Sequence, residues 1–346
     1  MSDGLRRTPI SVAMATYNGA RFLREQLESL AEQTHLPAEL AVGDDGSTDE
    51  TLQILSEFQK HAPFPVHIYR NESNLGYARN FLATAQRCRG DWIAFCDQDD
   101  VWLPNKLADA SGAIERTPGC CMILQNAWLC DDALVSRNRK FPDKLRPGIY
   151  GAGSQYGFWV WLGFLQTIHG SFFKMWDHKE LPRNYYSKHP EVSHDKWTCM
   201  IANAIGGIVV LDEPAALYRR HEQAFTGNYD RKSFGKRVAE ARSVGADQYG
   251  FLSNVAGDCA RYMDRLAMNS DNPEWASALR ENSQEFLKLQ KGQRLRSQLY
   301  SGRRIVDRLG HFFGILQSGG YFGAPFVAMG ARSAAKDALR VLRGRT

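Results

Sequence analysis

A cluster of carboxylates follows a short apolar run in the first third of the chain. The run extends from Trp92 to Cys96, and Asp97, Asp99 and Asp100 come directly after it. Hard divalent cations prefer oxygen ligands and keep open positions for phosphate oxygens, so carboxylates at a strand end suit Mg²⁺ or Mn²⁺ bound to a diphosphate. The alternative is a solvated acidic turn that caps the next helix.

Two further polar clusters end the first two apolar runs of the chain. Thr16, Tyr17 and Asn18 follow the first run, and Asp44 and Asp45 follow the second. Asp45 could accept a hydrogen bond from a pyrimidine ring N–H, while Thr16 and Asn18 could serve polar groups of a base or ribose. Taken singly, each cluster is also typical of an ordinary turn.

A single carboxylate later in the chain, Asp195, precedes a stretch from Trp197 to Ala204 that predicts a helix. A carboxylate within hydrogen-bond reach of a hydroxyl can remove its proton while the oxygen attacks, so Asp195 could be a general base. It could equally be a first-turn acid of that helix. The neighbouring His194 could orient Asp195, contact an acceptor, or only pack.

The elements that must position these residues alternate along the first hundred positions. Short apolar runs, such as Ile10 to Ala15 and Leu40 to Val42, alternate with longer amphipathic stretches, such as Ala20 to Gln33. This order predicts an α/β fold with a mostly parallel central sheet and helices on both faces. Ligands bind beyond the carboxyl ends of the strands in such sheets, so the three polar clusters should meet at one edge.

The rest of the chain is patterned differently. Between Cys120 and Asp195 we expect mixed β structure with long loops, and from Lys232 to about Gln290 the pattern is largely helical. Residues 301–346 carry eight Lys or Arg and two Asp together with several aromatic residues. This tail suits an anionic membrane surface better than nucleic acid. Five glycines and a proline interrupt the apolar segment 311–330, which favours surface association over a membrane span.

The composition is that of a folded, soluble protein. Of the 346 residues, 43% are hydrophobic and 23% are charged, which excludes a disordered or fibrous chain. The seven cysteines are odd in number and form no C-x-x-C pair, so we interpret them as reduced thiols. No segment near the amino terminus directs export, and we therefore expect a cytoplasmic location, peripheral on the inner face of the membrane.

Several motifs together resemble the family 2 glycosyltransferases, the inverting group with the GT-A fold. They cover residues 10–107 almost continuously, in the order and spacing of that family: Ser11 to Gly19, Gln33-Thr34, Asp44 to Thr51, Asn74 to Asn80 and Gly90 to Trp102. A second block, Ser193 to Trp197 with Leu217 to His221, resembles members that build bacterial O-antigens and capsules, particularly rhamnosyltransferases. Residues 222–346 resemble no catalytic segment.

The resemblance implies roles for residues of the first block. Asp45 would contact the donor base, with Thr16, Tyr17 and Asn18 in the same nucleotide site. Arg79 would lie on the donor side of the pocket. The carboxylates Asp97 and Asp99 complete this group of donor-site residues. Asp97 would contact the sugar or ribose, and Asp99 would hold the metal.

The resemblance also implies roles for the second block. Asp195 would be the general base, and Arg219, Arg220 and His221 would meet the diphosphate or the metal. Adjacent residues of an extended strand point to opposite sides, so only one of the two arginines can face the site. The family more often has a second acid before its base, whereas this chain has His194.

The resemblance therefore implies a metal-dependent, inverting sugar transferase that uses Mg²⁺ or Mn²⁺. The expected donor is a dTDP- or UDP-sugar, with dTDP-rhamnose as the best guess. The expected acceptor is a saccharide or a lipid-linked oligosaccharide, in bacterial surface polysaccharide synthesis. We expect residues 1–230 to form the GT-A domain, with a donor half at 8–115 and an acceptor half at 116–230, followed by a helical extension at 231–346.

Two other functions remain open from the sequence. A catalytically inactive scaffold at a membrane surface could keep the same fold, because fold does not prove function. A sugar nucleotidyltransferase would also need carboxylate-bound Mg²⁺, but it usually has a Gly-rich basic loop after the first strand. The loop from Ala15 to Arg21 lacks such a run.

Overall fold

The first half of the chain alternates strands and helices around a parallel sheet. The structure is a computed structural model that describes residues 7–142, 145–176, 180–185, 190–221 and 244–343. The elements of this half are β1 (Ile10–Thr16), α1 (Ala20–Ala31), β2 (Glu39–Asp44), α2 (Thr51–Gln59), β3 (Val66–Arg70), α3 (Tyr77–Arg87) and β4 (Trp92–Cys96). The strands pair in parallel in the order β3-β2-β1-β4, which confirms the predicted α/β fold.

Burial explains why these short runs form strands. Every residue of β2 and of β4 is buried, as expected for parallel strands whose two faces are both covered. Helix α3 packs against this part of the sheet through Phe81, whose ring meets Phe95 of β4 edge to face at 5.3 Å. The carboxyl ends of β1, β2 and β4 therefore lie side by side at one edge.

The second half of the sheet is mixed, in line with the mixed β structure predicted after Cys120. Its elements are β5 (Val101–Trp102), α4 (Lys106–Arg116), β6 (Met122–Cys130), β7 (Ser136–Phe141), β8 (Gly148–Tyr150) and β9 (Gln166–His169), followed by α5 (Ser171–Lys174), α6 (His194–Ile205) and β10 (Ile208–Arg219). Strand β9 lies antiparallel between β4 and β6. Strand β10 pairs in parallel with β6 and antiparallel with β5 and β8.

Helices fill the described part of the chain after residue 243. They are α7 (Ala246–Met268), α8 (Pro273–Ser301), α9 (Ile305–Gln317) and α10 (Gly330–Arg343). Helix α8 begins at Pro273 because Asn272 caps it, accepting hydrogen bonds from two backbone N–H groups of the first turn. The helical region thus continues well beyond Gln290, where the sequence pattern weakened. The start of the predicted helical region, residues 232–243, lies outside the described residues.

A buried ionic cluster fixes the last helix, α10, to α8. The Asp337 carboxylate is fully buried and accepts hydrogen bonds from the Arg296 guanidinium at 2.7 and 2.9 Å. The hydroxyls of Tyr300 and Tyr321 donate to the same carboxylate at 2.9 and 2.8 Å. Among the residues that the structure describes, no helix combines the length and the apolar composition needed to cross a bilayer.

Candidate active site

The three polar loops at the carboxyl edge of the sheet are tied together by hydrogen bonds. Asn18 accepts from the Thr48 backbone N–H at 2.9 Å and donates its own backbone N–H to the Ser47 hydroxyl at 2.9 Å. The Gln98 side chain reaches the Tyr17 backbone, accepting from its N–H at 2.9 Å and donating to its carbonyl at 3.1 Å. The loops after β1, β2 and β4 therefore form one surface, as expected from the sequence, and the Tyr17 side chain is 52% exposed on it.

Two of the residues expected to bind the nucleotide are buried and hold their own loops. The Thr16 hydroxyl donates to Asp44 at 3.0 Å. The Asp45 carboxylate accepts from the backbone N–H groups of Leu75 and Gly76 at 2.7 and 2.9 Å. These bonds fasten the loop before α3 to the end of β2. Sequence reasoning gave no sign of this second use of Asp45, because the partners are about thirty residues away.

The carboxylates after β4 form a compact cluster. Oxygens of Asp97, Asp99 and Asp100 lie within 4.8 Å of one another. Burial raises the pKa of Asp97 to about 8, with further contributions from the charges of Asp99 and Asp195, and burial also raises the pKa of Asp100 well above its usual range. In the described part of the chain the buried Asp100 Oδ2 has no hydrogen-bond partner. Mutually repelling carboxylate oxygens in such a cluster suit a hard divalent cation.

Strand pairing brings the end of β10 to this cluster. Because β5 pairs antiparallel with β10, the residues after β10 run past the carboxylates that precede β5. His221 Nε2 lies 2.9 Å from Asp99 Oδ2. The Arg219 backbone N–H donates to Asp100 at 3.0 Å, and its Nε donates to the Asp99 carbonyl at 2.9 Å. Asp99 and His221, the two expected metal ligands, are therefore neighbours.

The two adjacent arginines point in different directions, as the alternation along a strand requires. The Arg219 guanidinium lies 4.5 Å from the centre of the Phe22 ring and forms an ion pair with Glu25. The Arg220 guanidinium donates to the Tyr218 hydroxyl at 2.6 Å. Both side chains are buried, and Arg219 supports the backbone of the carboxylate loop. Glu25 was not recognised from the sequence.

Packing of His194 positions Asp195. The His194 ring stacks on Phe81 at 4.0 Å and meets Phe95 edge to face at 4.8 Å. Burial lowers the pKa of His194 to about 4, so the ring is neutral and packs at the start of α6. Asp195 then lies near enough to the end of β4 for its charge to raise the pKa of Asp97. The charge of the candidate base therefore acts on the carboxylate cluster.

Arg79 is paired with an acid that sequence reasoning missed. Its Nε and Nη2 donate to the two carboxylate oxygens of Glu191 at 2.8 and 2.6 Å. The pair connects α3 to the segment that precedes α6. No local sequence signal joins the two residues, which are 112 positions apart. The hydroxyls of Tyr77 and Ser193, which lie beside Asp195, were also missed.

Comparison with known sequences finds the same family as the motifs. The model of glycosyl transferase family 2 matches residues 11–156. An uncharacterized protein of Mycobacterium tuberculosis is 26% identical over 231 residues, which are 65% of this chain and 63% of that protein. The dTDP-rhamnosyl transferase RfbG of Shigella flexneri is 36% identical over 118 residues, 33% of this chain and 38% of that protein. The chain therefore spans less than two thirds of the length of these relatives.

Comparison with solved structures supports the fold. The crystal structure of S. aureus TarS 1-349 in complex with UDP-GlcNAc superposes with a TM-score of 0.54 at 16% identity, covering 98% of this chain and 93% of that chain. The same protein in complex with UDP gives a TM-score of 0.52 at 18% identity, covering 81% of this chain and 90% of that chain. At these identities the likeness concerns the GT-A-like fold alone.

Proposed function

We propose that this chain, whose residues 11–156 match the model of glycosyl transferase family 2, transfers a sugar from a nucleotide-diphosphate donor to an acceptor hydroxyl. The observation that carries the proposal is the cluster of Asp97, Asp99 and Asp100 at the carboxyl edge of the sheet, with Asp195 near enough for its charge to raise the pKa of Asp97. A carboxylate base beside a diphosphate-binding cluster is what this transfer needs. Residues 8–115 form the proposed donor half, residues 116–230 the acceptor half, and residues 231–346 the extension.

The proposed reaction is a single displacement. The acceptor oxygen attacks the anomeric carbon, its proton passes to Asp195, and the bond between that carbon and the β-phosphate oxygen breaks. The nucleoside diphosphate leaves with the electron pair. Attack from the side opposite the leaving group inverts the anomeric centre.

We propose that Asp99 and His221 hold Mg²⁺ or Mn²⁺, with Asp97 beside them toward the sugar or ribose. Such a cation, when bound, neutralises charge on the leaving diphosphate. Arg219 supports this site from behind, since its guanidinium is 2% exposed and bound to Glu25 and the Asp99 carbonyl. Arg79 lies at the donor side, and its pairing with Glu191 sets its direction.

For the donor we propose dTDP-rhamnose, with a UDP-sugar as the second candidate. The identity shared with the dTDP-rhamnosyl transferase RfbG over 118 residues supports the first. Tyr17, exposed beside Asn18 at the end of β1, offers an aromatic surface on which the base can stack. Thr16 and Asp45 contribute by fixing the loops around that surface.

Donor hydrolysis tests the proposal directly. Purified protein is incubated with UDP-, GDP- and dTDP-sugars, with and without Mn²⁺ or Mg²⁺, and the wild type is compared with Asp99→Ala. Metal-dependent release from one donor that is lost in the variant supports both the donor class and the metal site. Absence of both release and metal-dependent nucleotide binding would favour the inactive scaffold instead.

We also propose that the acceptor is a lipid-linked saccharide and that α9 lies on an anionic membrane surface. Five apolar side chains of this helix are exposed and lie within an arc of about 100° around the helix axis. They are Ile305, Val306, Leu309, Phe313 and Leu316. The surrounding segment, residues 301–346, is basic, which complements anionic lipid head groups.

Vesicle sedimentation tests the membrane proposal. The double variant Val306→Ser with Phe313→Ser removes two side chains that are 71% and 51% exposed, and it leaves the buried Asp337 cluster intact. Leu287→Ser, on the exposed side of α8, is the matched control because that side chain is 42% exposed. We expect wild type and control to pellet with phosphatidylglycerol vesicles and the double variant to stay in solution. Equal pelleting of all three would refute the proposal.

A further inference from the structure

The residue at the N-cap of α6 uses its hydroxyl in an unusual way. Ser193 occupies that position, where a serine hydroxyl ordinarily accepts a hydrogen bond from a backbone N–H of the first turn. Here it makes no such bond. The hydroxyl instead donates to Oδ1 of Asp195, which also accepts from the Lys196 backbone N–H at 2.8 Å. One oxygen of the candidate base is therefore held twice.

A second hydroxyl completes the arrangement from another helix. Tyr77, the first residue of α3, lies beside Ser193 and near enough to Asp195 for that charge to raise its pKa. Because the Ser193 proton goes to Asp195, any hydrogen bond between the two hydroxyls has Tyr77 as its donor. Burial and the charge of Asp195 raise the pKa of Tyr77 to about 12, so the phenol keeps the proton that it donates. The Tyr77 hydroxyl is thus a candidate donor to Ser193, which itself donates to Asp195.

The other carboxylate oxygen of the base is differently placed. Within the described residues, Asp195 Oδ2 accepts no hydrogen bond, whereas Oδ1 accepts two. A carboxylate free to rotate would exchange its two oxygens and spend time in orientations that cannot take a proton. With Oδ1 held by two donors, the carboxylate keeps one orientation and Oδ2 keeps its capacity to accept a proton.

We propose that Ser193, itself oriented by Tyr77, is a positioning residue that holds Asp195 so that Oδ2 receives the acceptor proton. The inference rests on the proposed function, and it adds two residues that do not touch the donor. It requires that the two hydroxyls act through Asp195 as one unit. Their removal therefore lowers the rate of proton removal and leaves donor binding alone.

The test measures hydrolysis of the sugar nucleotide that the wild type hydrolyses fastest among UDP-, GDP- and dTDP-sugars, with Mn²⁺ present and water as the acceptor. We expect Ser193→Ala to lower kcat roughly 10- to 100-fold, the effect of losing one hydrogen bond to a charged group, with an unchanged donor KM. Ser193→Thr should restore most of the rate. Tyr77→Phe should lower kcat in the wild type and have little further effect in Ser193→Ala.

Three outcomes separate the proposals. If Asp195→Asn abolishes hydrolysis while Ser193→Ala and Tyr77→Phe leave kcat unchanged, the positioning role is refuted and the proposed function stands. If Asp195→Asn is as active as the wild type, the assignment of the base fails and the positioning role fails with it. If a higher donor KM or a lower melting temperature accounts for the loss of activity in Ser193→Ala, Ser193 has only a structural role. In that case the inference survives only if Tyr77→Phe lowers kcat without changing donor KM or the melting temperature.

Discussion

A single methyl group added at Gly19 should break the contact between the loop after β1 and the loop after β4. Gly19 precedes α1 with φ −99°, a conformation that alanine also adopts. A Cβ at this position would lie 2.2 Å from Gln98 Oε1, so the Gln98 side chain must leave. Its two hydrogen bonds to the Tyr17 backbone are then lost.

The size of the effect follows from those two bonds. Each contributes about 0.5–1.5 kcal/mol, so Gly19→Ala should lower the free energy of unfolding by about 1–3 kcal/mol. In a Gln98→Ala background the three closest contacts of the added Cβ are gone, and the same change should alter stability by less than about 1 kcal/mol. The coupling between the two positions is therefore expected to be about 1–3 kcal/mol.

Urea unfolding of the wild type, both single variants and the double variant measures this coupling. Gly245→Ala is the matched control, since Gly245 also precedes a helix and an added Cβ there contacts none of the described residues. Its effect should not depend on Gln98. If Gly19→Ala lowers the free energy of unfolding equally with and without the Gln98 side chain, the loss does not come from displacing Gln98. A raised donor KM in Gly19→Ala would extend the result to nucleotide binding.

Three further variants test other parts of the structure by unfolding measurements. Asp337→Asn leaves Arg296 buried without its charge partner and should cost about 3–5 kcal/mol, and a loss below about 1 kcal/mol would contradict the buried pair. His194 has a folded-state pKa of about 4, below its unfolded value, so the unfolded chain binds its proton first as the pH falls below about 6.5. Protonation of His194 in the unfolded chain should therefore lower the free energy of unfolding by about 1.4 kcal/mol per pH unit as the pH falls toward 4. His194→Leu should remove this contribution to the pH dependence. Glu191→Gln breaks a partly exposed pair with Arg79, so a stability change above about 1 kcal/mol would be unexpected.

The sequence by itself was sufficient for the parallel half of the sheet and for the convergence of its loops. Apolar runs with a strand's length, separated by amphipathic helices, leave few other arrangements, because connected parallel strands end at the same edge. The positions of Asp97 and Asp99 followed from that order. Their clustering needed no knowledge of distant contacts, since both belong to one loop.

Other features depended on contacts between distant segments. His221 meets Asp99 across 122 positions because β10 pairs with β5, and no local pattern specifies that register. Which polar side chain faces a ligand was also beyond the sequence. Thr16 and Asp45 carry suitable groups, yet backbone and side-chain partners in the folded chain already use them.

The same distinction applies to the candidate base. The sequence marked Asp195 as an acid at the start of a helix, which is a local property. Only the packing of His194 between α3 and β4 brings it to the carboxylates, and only the folded chain gives Ser193 a carboxylate to bind in place of a helix N–H. Residue types and local periodicity thus determined the elements and the chemistry that they carry. Tertiary structure decided which groups meet, because hydrogen bonds and burial are shared among segments that are far apart in the chain.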